Sequence, residues 1–88
     1  MNIQLRTIGE ISSGGDDDEK YILIMDDIEN TGGYYIYLCQ SINMNNCYDM
    51  WVLDEKELKA NTACFIIKWL DKQRLPEWCL VQHPIKKM

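Results

Sequence analysis

Tyr21-Ile22-Leu23-Ile24-Met25 and Tyr34-Tyr35-Ile36-Tyr37-Leu38-Cys39 are the runs that decide the fold of this chain, and Asp26 to Gly33 connects them. Both runs are rich in aromatic and β-branched residues, which suit a pleated surface, and the connection closes in Gly32-Gly33, so the pair reads as an antiparallel hairpin. Alternation along the second run puts Tyr34, Ile36 and Leu38 on one face and Tyr35, Tyr37 and Cys39 on the other. The first of these faces is core and the second amphipathic, which makes Tyr35 and Tyr37 candidates for an exposed interface.

Upstream of the hairpin, Ile3, Leu5 and Thr7 alternate with polar neighbours and suit a half-buried first strand, although Ile8 and Ile11 also fit a short helix. Two glycines and three adjacent carboxylates make Ser12 to Asp18 a loop. Downstream, Asn43 to Asn46 marks a loop and Tyr48 to Leu53 a short strand or extended segment. Asp54 with Glu57 three residues on has capping-box spacing, and it predicts a helix from about residue 54 to residue 65. Ala60, Ala63, Cys64 and Ile67 supply a helical stripe, yet residues 63–69 read equally well as a buried strand. Pro76 and Pro84 bracket an extended piece, Trp78 to Gln82, and the last four residues read as a frayed tail. The expected fold is α+β in a single domain over residues 1–88: a small antiparallel sheet with one main helix packed on one face.

Charge is divided along the chain. Residues 1–57 hold twelve acids against Arg6, Lys20 and Lys56, a net −9, whereas residues 58–88 hold six bases against Asp71 and Glu77, a net +4. The acidic field repels nucleic acid and anionic membrane and attracts a basic protein surface. A chain of 88 residues hides only roughly 60 to 65% of its unfolded surface, but three Trp and five Tyr argue against disorder. The first residues lack the basic start and apolar stretch of a secretory signal, and no segment approaches the roughly 20 apolar residues of a membrane span, so the cytoplasm is the expected compartment. In that reducing setting Cys39, Cys47, Cys64 and Cys79 are expected to be thiols, buried as small hydrophobes.

Motifs for chemistry fail when tested one by one. An EF-hand loop begun at Asp16 meets Lys20 at its fifth position, and one begun at Asp27 ends on Leu38. The cysteines are 8, 17 and 15 positions apart, so no zinc knuckle exists. Cys79 with His83 is the natural nucleophilic dyad, but an extended segment would hold them roughly 13 Å apart, so the pair is rejected unless that segment is helical. Gly32-Gly33 lacks the following residues of a phosphate loop. No catalytic residue, metal or cofactor is therefore expected, and the chain is read as a protein without enzymatic activity.

From Tyr21 to Trp69 the chain resembles the small bacterial immunity proteins of contact-dependent growth inhibition and other polymorphic toxin systems. The resemblance rests on the apolar strand, the acidic turn closing in Gly32-Gly33-Tyr34, the second strand ending near Leu38, Asp49-Met50-Trp51, and the acidic helix start Asp54-Glu55 with Leu58. It implies a cytoplasmic antidote that blocks the active site of one cognate toxin, frequently a nuclease such as an RNase. Nuclease sites are basic because they hold phosphates, so an acidic antidote gains steering and complementarity. The expected partner-binding residues are Asp16, Asp17, Asp18, Glu19, Asp26, Asp27 and Glu29 for steering, with Tyr35 and Tyr37 as desolvated anchors. The basic C-terminal part has no role in this picture. The rival expectation is a small regulatory or adaptor domain, homodimeric through an exposed strand edge.

Overall fold

The computed structural model describes residues 3–45 and 47–82. Its elements in chain order are β1 (Ile8–Ser13), β2 (Tyr21–Asp27), β3 (Gly33–Cys39), β4 (Tyr48–Val52), α1 (Glu55–Thr62), β5 (Ile66–Trp69) and α2 (Glu77–Gln82). The strands form one antiparallel sheet in the order β4-β3-β2-β1-β5, so four strands follow the chain as a meander and the last docks against the first. The architecture is α+β.

The central hairpin has the expected register, running from Tyr21 opposite Cys39 to Asp27 opposite Gly33. Its turn is organised by one residue. The Asp27 carbonyl accepts the backbone N–H of Asn30 at 3.3 Å, Thr31 at 3.0 Å and Gly32 at 3.1 Å. The Asp27 carboxylate accepts Asn30 Nδ2 at 3.1 Å and Thr31 Oγ1 at 3.0 Å, and Gly32 completes the reversal at φ 82°.

Both faces of the sheet are buried, not one. On the first face Ile22, Ile24, Ile36, Leu38, Val52 and Ile11 pack with Leu58 of α1 and Phe65. On the second, Ile8, Leu23, Met25, Tyr37 and Cys39 pack with Met44 from the β3–β4 connection and Cys79 of α2. Burial on two sides is why β2 carries the unbroken apolar run Ile22 to Met25 instead of alternating.

Several expectations are corrected. The first strand is β1, not residues 3–7, because Arg6 turns the chain at φ 55° and ties it down through a 2.8 Å ion pair between its Nε and Asp26 Oδ1. Ser12 and Ser13 belong to that strand; Ser13 faces Ile66 across a register shift. Helix α1 starts where the cap predicts, with Asp54 Oδ1 accepting Glu57 N–H at 2.9 Å and Glu57 Oε2 accepting Leu53 N–H at 3.2 Å. It is shorter than expected, and its buried side is Leu58 and Thr62 while Ala60 is exposed. The segment 63–69 resolves to strand over Ile66–Trp69. Trp78 to Gln82 is helical, not extended: Pro76 precedes the first turn, where its missing N–H costs nothing, and its carbonyl accepts Cys79 N–H at 3.1 Å. His83, Asn46, the tail 83–88 and Met1-Asn2 lie outside the described residues.

The cysteines depart furthest from expectation. Cys39 ends β3 and Cys47 immediately precedes β4, so the hairpin brings their Cα atoms to 4.2 Å and they form a disulfide. Cys79 is a buried thiol and Cys64 an exposed one.

Candidate functional site

Helix α2 has only six residues, and it covers the second face of the sheet incompletely. Trp78 closes one end: its ring meets Tyr37 edge-on at 5.0 Å between centroids, and its Nε1 donates to the Met44 carbonyl at 3.2 Å. Beyond that contact, towards the β2–β3 turn, the face opens into a pocket of about 410 Å³. Asp27, Asn30 and Thr31 of the turn, Tyr35 and Tyr37 of β3, Asp49 of β4 and Gln82 of α2 line it. A second depression of about 270 Å³, lined by Met44, Cys47 and Trp78, shares Tyr37 and Asp49 with the first, so these two residues form the ridge between them.

Strand register explains the convergence. Residues paired across antiparallel strands share a face, and Tyr37 stands opposite both Leu23 and Asp49, while Tyr35 stands opposite Met25 and Trp51. The same face therefore passes from buried Leu23 and Met25, through the two tyrosines, to exposed Trp51 and Asp49 at the sheet edge. Trp51 is fixed by donating from Nε1 to Thr31 Oγ1 at 2.7 Å. Its ring lies over Gly33, where an added Cβ would stand 2.7 Å from Trp51 Cε2, so only glycine lets the indole pack this closely.

The pocket is electronegative. Burial lifts the Tyr37 phenol above its ordinary range, and Cys79, Asp49, Tyr35 and Asp27 add to that lift. The phenol thus stays protonated at neutral pH and donates to Gln82 Oε1 at 3.3 Å. Cys79 sits deeper, and burial pushes its thiol up to about 11, the opposite of what a nucleophile needs. The rejection of a Cys79–His83 dyad assumed an extended segment; residues 77–82 are helical, and His83 lies outside the described residues. Among the described residues no group of three or more His, Cys, Asp or Glu side chains could hold a metal ion.

The expected binding residues do not gather in one place. Asp16, Asp17, Asp18 and Glu19 lie in the β1–β2 loop, at the opposite end of β2 from Asp27 and Glu29. Seven residues of strand separate the two groups by roughly 20 Å. Glu19 is engaged locally: Asp16 N–H donates to its Oε1 at 2.8 Å and the Tyr48 hydroxyl donates to its Oε2, and together these hold its carboxyl below the usual range. Asp26 is taken by Arg6. Tyr35 is half-buried beside the pocket, but Tyr37 is only 7% exposed, so its expected role as an exposed anchor is corrected. The residue that covers it, Trp78, belongs to a helix that was expected to be extended. Asp49 and Trp51 entered the sequence reading only within the Asp49-Met50-Trp51 stretch of the resemblance and not as binding residues, and Asn30, Thr31 and Gln82 were not singled out. Alternation along β4 would have placed Asp49 and Trp51 on one side, but only the Tyr37–Asp49 register shows that this side is also the side of Tyr35.

No helix among the described residues is long and apolar enough to cross a membrane. No protein-family model, curated protein or solved structure matches the chain, and the functional reading therefore rests on these side chains alone.

Proposed function

We propose that the protein is an immunity protein that binds a cognate bacterial toxin domain, a nuclease such as an RNase, and covers its basic active site. It acts by occupancy, without catalysis or a cofactor of its own. The observation that carries this reading is the open, electronegative stretch of the second sheet face, where Tyr35, Asp49, Trp51 and the Asp27 turn lie together. Aromatic side chains ringed by carboxylates are suited to a basic protein surface, with the rings providing desolvated contact and the charges providing steering. In this reading α1 is the main helix, packed on the first face, and the partner takes only the part of the second face that α2 does not cover. Exposed Asp16, Asp17, Asp18 and Glu29 act at longer range.

The test is a pull-down against the product of the neighbouring reading frame at rising salt. Specific capture that weakens as the ionic strength rises from about 0.05 to 0.5 M is the expected result, because screening shortens the reach of exposed charges. No capture, or capture indifferent to salt, overturns it.

The adaptor reading draws on a separate observation: β4 and β5 are both sheet edges, and Ile66 on β5 is 62% exposed. A tight homodimer by light scattering, with no heterologous ligand, favours it. The proposed compartment remains the cytoplasm, and the Cys39–Cys47 bridge pulls against it, because structural disulfides belong to oxidising surroundings. Alkylation of freshly lysed cells decides: four reactive cysteines after denaturation support the cytoplasm, and two support an oxidising compartment.

A further inference from the structure

We infer that the pocket on the second sheet face is a socket for a single arginine side chain supplied by a protein partner. The inference rests on the antidote reading only for which protein supplies the arginine. Three observations carry it. The pocket holds two carboxylates, from Asp27 and Asp49, and among the described residues no lysine or arginine lines it. Tyr35 forms part of its wall, and an aromatic ring with carboxylates close by is a setting that favours a guanidinium over an apolar group. Gln82 Oε1, which accepts the Tyr37 hydroxyl and keeps a second lone pair, adds a neutral acceptor at the rim, which together with a carboxylate matches the several N–H donors of a guanidinium better than the compact head of a lysine.

The sheet also indicates which carboxylate meets the cation. Asp27 and Asp49 stand on the strands either side of β3, opposite Gly33 and Tyr37 respectively. Two strand spacings across and four residues along put their Cα atoms roughly 16 Å apart, too far for one guanidinium to bridge. Asp27 is committed to the turn through Asn30 and Thr31, whereas the Asp49 carboxylate accepts no hydrogen bond and joins no ion pair among the described residues. Asp49 is therefore the direct partner, with the arginine stem lying along Tyr35 and Asp27 deepening the potential from the far end.

The probe is N-acetyl-arginine methylamide, titrated into the isotope-labelled full chain and followed by amide chemical shifts. Lys86 and Lys87 follow Gln82 by four and five positions, so the titration is repeated on the Lys86→Ala, Lys87→Ala variant to remove cations of the chain itself. The expected result is saturable binding in the millimolar range, with shifts confined to Thr31, Tyr35, Asp49 and Gln82. Asp49→Asn weakens it about tenfold or more, and Asp27→Asn only a few-fold. The citrulline analogue, neutral and of the same shape, gives no saturable shift, and the lysine analogue binds more weakly than arginine. The socket is overturned if neither chain binds, if citrulline matches arginine, or if Asp49→Asn is without effect while its spectrum remains folded. A negative pull-down with a positive titration removes the toxin partner and keeps the socket; the reverse pattern removes the socket alone.

Discussion

The two faces of the sheet are built from the same strands but closed by different means. The first receives Leu58 and Phe65 from a capped helix and the segment that follows it. The second receives one thiol and one indole from a six-residue helix, together with Met44 from a loop that a disulfide closes. The second face also receives Leu70 and Leu75 from the connection before that helix, so its cover is assembled from loops and a short helix, and the stretch beyond it towards the β2–β3 turn, where the candidate site lies, stays near water. The comparison teaches that a β-sheet buried on both sides can still have a binding face, located where its cover is shortest.

The largest expected effect concerns the better-closed face. Leu58 is 2% exposed, and Leu58→Ala is expected to destabilise the protein by about 2–5 kcal/mol in urea unfolding, through lost burial and the cavity left behind. A loss below about 1 kcal/mol would mean that this face is closed no better than the other. Next comes the bridge. Cys39→Ser with Cys47→Ser opens a loop of sequence separation 8, and the loop-entropy relation gives a cost of roughly 2–3 kcal/mol. The same variant is expected to raise hydrogen exchange at Met44 and Cys79 more than at Leu58, which would separate the two covers directly.

Smaller effects refine the picture of the second face. Trp78→Phe keeps the ring contact but removes the donor to the Met44 carbonyl, a loss of about 1 kcal/mol measurable by thermal or urea unfolding. In base, Cys79 distinguishes the faces as well. Its thiol is raised from 9.0 to about 11 in the folded protein, so the folded state retains a proton that the unfolded state loses. The stability it contributes is complete below pH 9.0 and is lost as the pH rises towards about 11, an effect that Cys79→Ala removes. In acid the sign is reversed at Glu19. Its carboxyl lies below the ordinary value of 4.5, so its contribution is present above that pH and is lost as the pH falls through the folded value. Because Glu19 is only partly buried the change is small, and Glu19→Gln flattens the acid limb of the stability curve only slightly.

What could be read in the sequence was local. The hairpin of β2 and β3 and the Asp54 cap depend on neighbours within a few residues, and both are where the residue pattern puts them. The burial of Tyr37 was not legible, because alternation reports which residues share a face and not what lands on that face. The one clue was the unbroken run Ile22 to Met25, which no one-sided sheet requires. Pro76 was read as a bracket around extended chain when it serves as a helix start. The disulfide was hidden for a related reason: a spacing of 8 becomes a 4.2 Å Cα approach only once the β3–β4 register is known. Of the site, Tyr35 and Asp27 were named in advance, and Asp49 waited on that same register.

The placement of β5 against β1 has a consequence for synthesis. The strands β1 to β4 can pair in the order in which they leave the ribosome, but the free side of β1 waits for Trp69, the partner of Gly9. At about 5–20 residues per second, the 56 residues from Ser13 to Trp69 take roughly 3–11 seconds. During that interval β1 is an open edge carrying Ile8 and Ile11, a template for a neighbouring nascent chain. Gly9 suits the final closure, since a Cβ there would press on Ile67 and Trp69 as they arrive. The last strand made therefore acts as a latch, and translation speed between residues 13 and 69 sets how long the edge remains open.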